Sequence, residues 1–249
     1  MSIYLLFGII FCASLILTMV GLGGGLIFSP IFLIVGFPKT VAVSASLFLN
    51  GVAAVSAAII YYRQKMVDFS IAVPLVLTST IGAPLGALTT QSINTKYFLI
   101  LMAIIVFLGA VRMIFSGQIK PAESISHRTR MIGGGVIGLV IGFMGGLLGI
   151  GGGVFIVPLL IFFLGVPTKT AAASSMFIVC FSSFSGFTTY ATIGTVDWKF
   201  ILPAAVFSFT AGQVGARMMV KKISGRTIRL LFGVILFILC AKLIQRAFM

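Results

Sequence analysis

The stretch VGLGGGLIFSP, Val20 to Pro30, returns near the middle of the chain as LGIGGGVFIVP, Leu148 to Pro158. Gly21, Gly23, Gly24, Gly25 and Pro30 each lie 128 positions before Gly149, Gly151, Gly152, Gly153 and Pro158. The correspondence continues with a small slip of register. GFPKTVAVSAS from Gly36 pairs with GVPTKTAAASS from Gly165, aligning Lys39 with Lys169 and Ser44 with Ser174 at an offset of 130. Then VDF at Val67 to Phe69 pairs with VDW at Val196 to Trp198, Pro74 with Pro203, and LGA at Leu85 to Ala87 with VGA at Val214 to Ala216, all at 129. Rare residues keep one order twice, so the chain is a tandem of two structural repeats. The polar stretch Ser116 to Arg130 divides them, giving an N-terminal repeat 1–115, a linker loop 116–130 and a C-terminal repeat 131–249 that together make one domain.

The solvent follows from the segments between these markers. Apolar runs cover approximately Ile3 to Val20, Leu26 to Gly36, Val41 to Tyr62, Ile71 to Gln91 and Tyr97 to Phe115, and the second half mirrors them. Charged residues are only 8% of the chain, against about 25% in soluble domains. A chain of this kind is an integral membrane protein, and its spans are helices, since lipid offers no partner for an open strand edge. The runs lack the alternation a lipid-facing barrel requires. A formal charge of +14 would suggest nucleic acid in a soluble protein, but here the 17 Lys and Arg sit in short loops and read as topology signals. Cys12, Cys180 and Cys240 stand singly in apolar segments and read as buried structural thiols, without disulfide or metal-ligand spacing. The first twenty residues have no basic n-region or cleavage site and read as a retained helix.

Loop charge predicts the topology. If the first two segments of each half form a hairpin that returns to its own side, three full crossings remain, an odd number, and the repeats are inverted. Arg63, Lys65, Arg112, Lys120, Arg128, Arg130, Lys169, Arg217, Lys221, Lys222, Arg226 and Arg229 then share one side, twelve cations against the five of Lys39, Lys96, Lys199, Lys242 and Arg246. A single broken helix in place of the hairpin would divide them nine to eight, which orients nothing. The expected fold is therefore all-α and membrane-integral. It has two inverted-topology repeats, each a glycine-broken helical hairpin plus about three transmembrane helices, with both termini outside.

In such a hairpin the glycines turn the chain inside the membrane, where irregular backbone survives only if buried in protein or lining a cavity. Each turn also starts a short helix whose free N–H groups and positive dipole end point inward. Two such starts converging near the midplane suit a small anion. The candidate substrate-binding residues are Gly23, Gly24 and Gly25, Gly151, Gly152 and Gly153, the hydroxyls of Ser44, Ser174 and Ser175, and the amides of Asn50 and Gln213. The competing reading of glycine at GxxxG spacing is close helix packing, and it is preferred for Gly82 with Gly86 and for Gly142 with Gly146. Asp68 and Asp197 precede helices and read as N-caps. With the remaining acid, Glu123, and the single histidine, His127, both in the linker, no intramembrane carboxylate is left to build a proton relay or sodium site. A nucleophile with its base, a metal set and a cofactor motif are equally missing, so the chain reads as no enzyme.

The doubled pattern of a glycine-rich hairpin, a proline about five residues on, GFPKTVAVSAS or GVPTKTAAASS opening the next helix, and a later VD turn resembles the sulfite exporter TauE/SafE family of membrane permeases, over essentially the whole chain. The resemblance implies a multi-pass protein of a bacterial or archaeal inner membrane that exports sulfite, organosulfonates or related sulfur-containing anions. It implies Ser44 and Ser174 as the matched serines and Lys39 and Lys169 as the matched lysines. The threonine that usually precedes the serine in that family is replaced by Val43 and Ala173. The partners expected are a small anionic substrate and the lipid bilayer, with no nucleic acid, and a homo-oligomer is compatible with the sequence. An anion channel, or a transporter of another small solute, is the alternative.

Overall fold

The computed structural model describes residues 3–89, 127–162, 164–193, 196–222 and 224–248, with Lys96, Ile100, Ala103, Ile104, Phe107, Ala110 and Val111 between the first two stretches. Most of the expected fifth segment and residues 116–126 of the expected linker lie outside them. The elements are α1 (Ile3–Val20), α2 (Gly25–Val35), α3 (Lys39–Arg63), α4 (Phe69–Thr89), α5 (His127–Leu148), α6 (Gly153–Phe162), α7 (Thr168–Ile193), α8 (Trp198–Lys222) and α9 (Gly225–Phe248). Among the described residues every regular element is a helix. Helix α5 opens at His127, inside the stretch expected to be linker. Its apolar run needs a polar first turn, and His127 to Arg130 provides one.

Stretches Thr40–Arg63, Phe69–Thr89 and Thr168–Thr192 are long and apolar enough to cross a membrane. Helices α2 and α6, with 11 and 10 residues, reach only about 15 Å, half of a hydrocarbon core of about 30 Å. Each follows a glycine break. Helix α1 closes with Gly21 and Leu22 N–H donating to Thr18 and Leu17 carbonyls, and Gly21 takes φ +85°, a conformation that a side chain would strain. Helix α2 then folds back beside α1. Phe7 near the start of α1 and Phe37 just past α2 both pack on the ring of Phe200.

The two halves interlock. Helix α3 runs alongside α8 in the same direction: Ala53 meets Gly212, and farther along Ile60 and Arg63 share a cavity with Arg217, Val220 and Lys221. Helix α4 likewise runs with α5, where Gly138 lies on Leu75, Gly142 on Ser79 and Gly146 on Ala83. Helix α7 runs against α3, since Gly186 meets Leu47, Phe184 meets Gly51, and Ser174 near the start of α7 reaches Asp68 beyond the end of α3. Small residues permit the close approach. A Cβ on Gly82 would lie 2.8 Å from Phe143 N and one on Gly142 2.5 Å from Ser79 Cα, so both GxxxG pairs are packing devices.

Matched hydrogen bonds carry the duplication into three dimensions. Ser56 Oγ donates to Phe209 O at 2.6 Å and Ser185 Oγ to Thr80 O at 2.7 Å, each tying its own half to the other. Tyr61 and Tyr190 hydroxyls donate to Thr18 O and Leu147 O, closing each half on its own first helix. The outward faces are apolar: Val73, Leu77, Ile81, Leu85 and Leu88 along α4 are all exposed, a surface made for lipid. One expectation fails here. Cys12 is exposed on α1 and is no buried thiol, whereas Cys180 is half-buried and Cys240 buried, and none of the three is paired. A thiol in a helix facing lipid needs no burial in protein to remain in an apolar medium.

Candidate functional site

The two glycine turns touch. A Cβ on Gly25 would fall 2.9 Å from Ile150 O and 3.0 Å from Gly149 O, and one on Gly153 would fall 2.7 Å from Leu22 O. Each turn also rests on the other half's long helix, Gly21 on Ala172 of α7 and Gly149 on Val43 of α3. Serines fasten these contacts. Ser175 Oγ donates to Gly21 O at 2.8 Å and Ser46 Oγ to Gly149 O at 2.7 Å, and Ser46 also lies 3.1 Å from Gly25 O.

Asn50 joins the two turns. Fully buried on α3, it accepts from Gly25 N–H at 2.9 Å through Oδ1, and its Nδ2 donates to Ile150 O at 3.1 Å and Ser183 Oγ at 2.9 Å. A Cβ on Gly23 would overlap Oδ1, and one on Gly151 would overlap Nδ2 and the Ser183 hydroxyl. Ser182 Oγ donates to Gly151 O at 2.9 Å. Over Gly24 lies the ring of Phe28. The backbone is less well satisfied than the side chains. Among the described residues, the N–H groups of Gly23, Gly24 and Leu26 on one turn, and of Gly152, Gly153 and Val154 on the other, donate to no acceptor, although all six residues are buried. A buried N–H without a partner costs about as much as a lost hydrogen bond, so native structures rarely leave one.

The sequence-expected residues thus divide into four groups. Gly23, Gly24, Gly25, Gly151, Gly152, Gly153, Asn50 and Ser175 come together at the crossing of the turns. Ser174 instead accepts from Asp68 N–H at 3.0 Å, at the loop between α3 and α4. Gln213 donates to Ser56 O at 2.9 Å and ties α8 to α3. Ser44 is buried, and its Oγ has no hydrogen-bond partner among the described residues. Ser46, whose hydroxyl the sequence pairs with that of Ser175, joins the cluster, and sequence reasoning passed over two further members, Ser182 and Ser183. Ser46 is the true counterpart of Ser175, visible at the offset of 129 that governs the long helices. Ser182 and Ser183 answer to Ala53 and Ala54 at that offset, so the repeat comparison carried no signal for them. The two expected caps are present: Asp68 Oδ1 accepts from Ser70 N–H and Asp197 Oδ1 from Phe200 N–H.

Residues 6–243 match the family described as Sulfite exporter TauE/SafE. The chain belongs to this family. A Bacillus subtilis (strain 168) relative named "Probable membrane transporter protein YunE" is 26% identical over 91% of this chain and 92% of its own. An archaeal relative from Methanocaldococcus jannaschii, "Probable membrane transporter protein MJ0441", is 26% identical over 91% of this chain and 89% of its own. "Sulfite exporter TauE/SafE family protein 6" of Arabidopsis thaliana is 26% identical over 55% of this chain and 34% of its own. No solved structure matches. With its apolar outward faces and long apolar helices, this TauE/SafE protein is a membrane transporter.

Proposed function

We propose that this transporter exports a small sulfur-containing anion, sulfite or an organosulfonate, across the cell inner membrane as a multi-pass protein, binding it at the crossing of the two glycine turns. One observation carries the reading: at two helix starts that touch, six buried N–H groups donate to no acceptor among the described residues, in a region that holds no carboxylate. An oxyanion supplies acceptor oxygens in the number these donors require, and the positive ends of α2 and α6 favour its charge. The sulfur chemistry rests on the family and not on the donors. An inside-negative potential would favour export by about 2.3 kcal/mol per charge per 100 mV without a coupling ion.

The same reading takes the two repeats as inverted and the centre as the midplane. Supporting it, α3 opposes α7, its counterpart, and Lys169 in the first turn of α7 donates to Val220 O at 3.4 Å, beside the cavity shared by Arg63, Arg217 and Lys221. These are cations the hairpin topology assigns to one side and the broken-helix topology assigns to two. The Phe28 ring over Gly24 and the amide of Asn50 between the turns fill the centre, which favours a carrier that rearranges over an open channel.

The test is counterflow in proteoliposomes with sulfite, sulfoacetate, sulfate and acetate. Saturable, counterflow-competent flux of the sulfur anions, lost in Gly24→Leu and Gly152→Leu, is expected. Flux of no sulfur anion would overturn the substrate, and intact flux in both variants would overturn the site.

A further inference from the structure

Some 13 residues beyond Asn50 on α3, about 20 Å along the axis, a cavity of about 220 Å³ opens between the ends of α3 and α8. Its walls are Ile60, Arg63, Gln64, Arg217, Val220 and Lys221. Three exposed cations therefore face one small space, and the ammonium of Lys169 sits against the carbonyl of Val220 in the same wall. No carboxylate among the described residues pairs with any of them, and the whole chain has three acids for 17 basic side chains. The negative ends of two helices amount to roughly half a charge each, well short of three cations. A topology signal needs cations in a loop but does not need them gathered on one cavity.

Depth indicates what the cavity receives. The apolar span Thr40–Arg63 ends at its edge, and Tyr62, exposed and packed edge-on to Phe69, occupies the position of an interfacial aromatic. We propose that this cavity binds a phosphate-type oxyanion, the headgroup phosphate of an anionic phospholipid or a free phosphate, through Arg63, Arg217 and Lys221. Guanidinium groups offer paired donors to two phosphate oxygens while the lysine adds a point charge. The inference is independent of the transported substrate.

The experiment is thermal unfolding of the purified full chain in uncharged detergent. Phosphatidylglycerol, phosphatidylcholine, inorganic phosphate and chloride at matched ionic strength are titrated separately. Phosphatidylglycerol or inorganic phosphate is expected to raise Tm saturably by a few degrees, with no effect of phosphatidylcholine or chloride. A response to the lipid alone identifies the headgroup as the source, and a full response to inorganic phosphate identifies a soluble oxyanion. The response should vanish in Arg63→Gln/Arg217→Gln/Lys221→Gln and persist in Lys199→Gln/Lys242→Gln/Arg246→Gln, which removes the same charge elsewhere. Arg217→Gln alone should raise the half-saturating concentration at least threefold. Absence of any response, or equal responses from the two triple variants, would overturn the proposal.

Discussion

Asn50 has no polar counterpart at the matched position of the second half, where Val179 stands, yet it holds both glycine turns with two hydrogen bonds and reaches Ser183 of α7 with a third. Replacing it by alanine leaves buried donors and acceptors unpaired, each costing about 1–3 kcal/mol. Asn50→Ala should therefore lower the unfolding temperature of the purified protein and abolish flux; wild-type thermal stability would refute the bridging role. Gly25→Ala should be comparably damaging, because its methyl would press on Ile150 O, whereas Gly134→Ala meets nothing within 4 Å and should be neutral or slightly stabilising in the same melting experiment. The sequence made the glycines legible because their pattern occurs twice. It offered two serine pairs, Ser44 with Ser174 and Ser46 with Ser175, and gave no means of choosing between them. The hydrogen bonds to the turns select Ser46 with Ser175.

Among the elements, α4 and α5 are joined by backbone contact more than by side-chain interdigitation. Gly82, Gly86, Gly142 and Gly146 let the two helices approach until a single methyl would meet main-chain atoms. Gly142→Ala should lower stability by about 1–3 kcal/mol, as overpacking does, and should do so without loss of specific anion binding in the protein that remains folded. Unchanged unfolding would mean that the helices can separate at little cost. These spacings were readable as packing motifs from sequence, as were the short helices after each glycine break, because both depend on local pattern. Which helix each motif would face was not readable. That depends on the crossing of the halves, and an apolar helix carries little amphipathic signal to orient it in lipid.

For the molecule as a whole, loop charge favours the hairpin topology, since the two candidate topologies distribute the same cations differently. In a Cys12→Ser/Cys180→Ser/Cys240→Ser background, Gln64→Cys and Lys221→Cys should react with a membrane-impermeant maleimide from one side only, and Lys199→Cys from the other. Labelling of Gln64→Cys and Lys221→Cys from opposite sides would reject the inverted arrangement. Ser46 and Ser175 have a further implication for how the protein is made. Each serine fastens a glycine turn belonging to the other half, so the first turn has its carbonyl partner only after residue 175 has been synthesised. Until then the first half holds Gly25 through Asn50 and Ser46 but leaves the Gly21 carbonyl without its partner, so the insertion of the second half becomes a precondition for the maturation of the first.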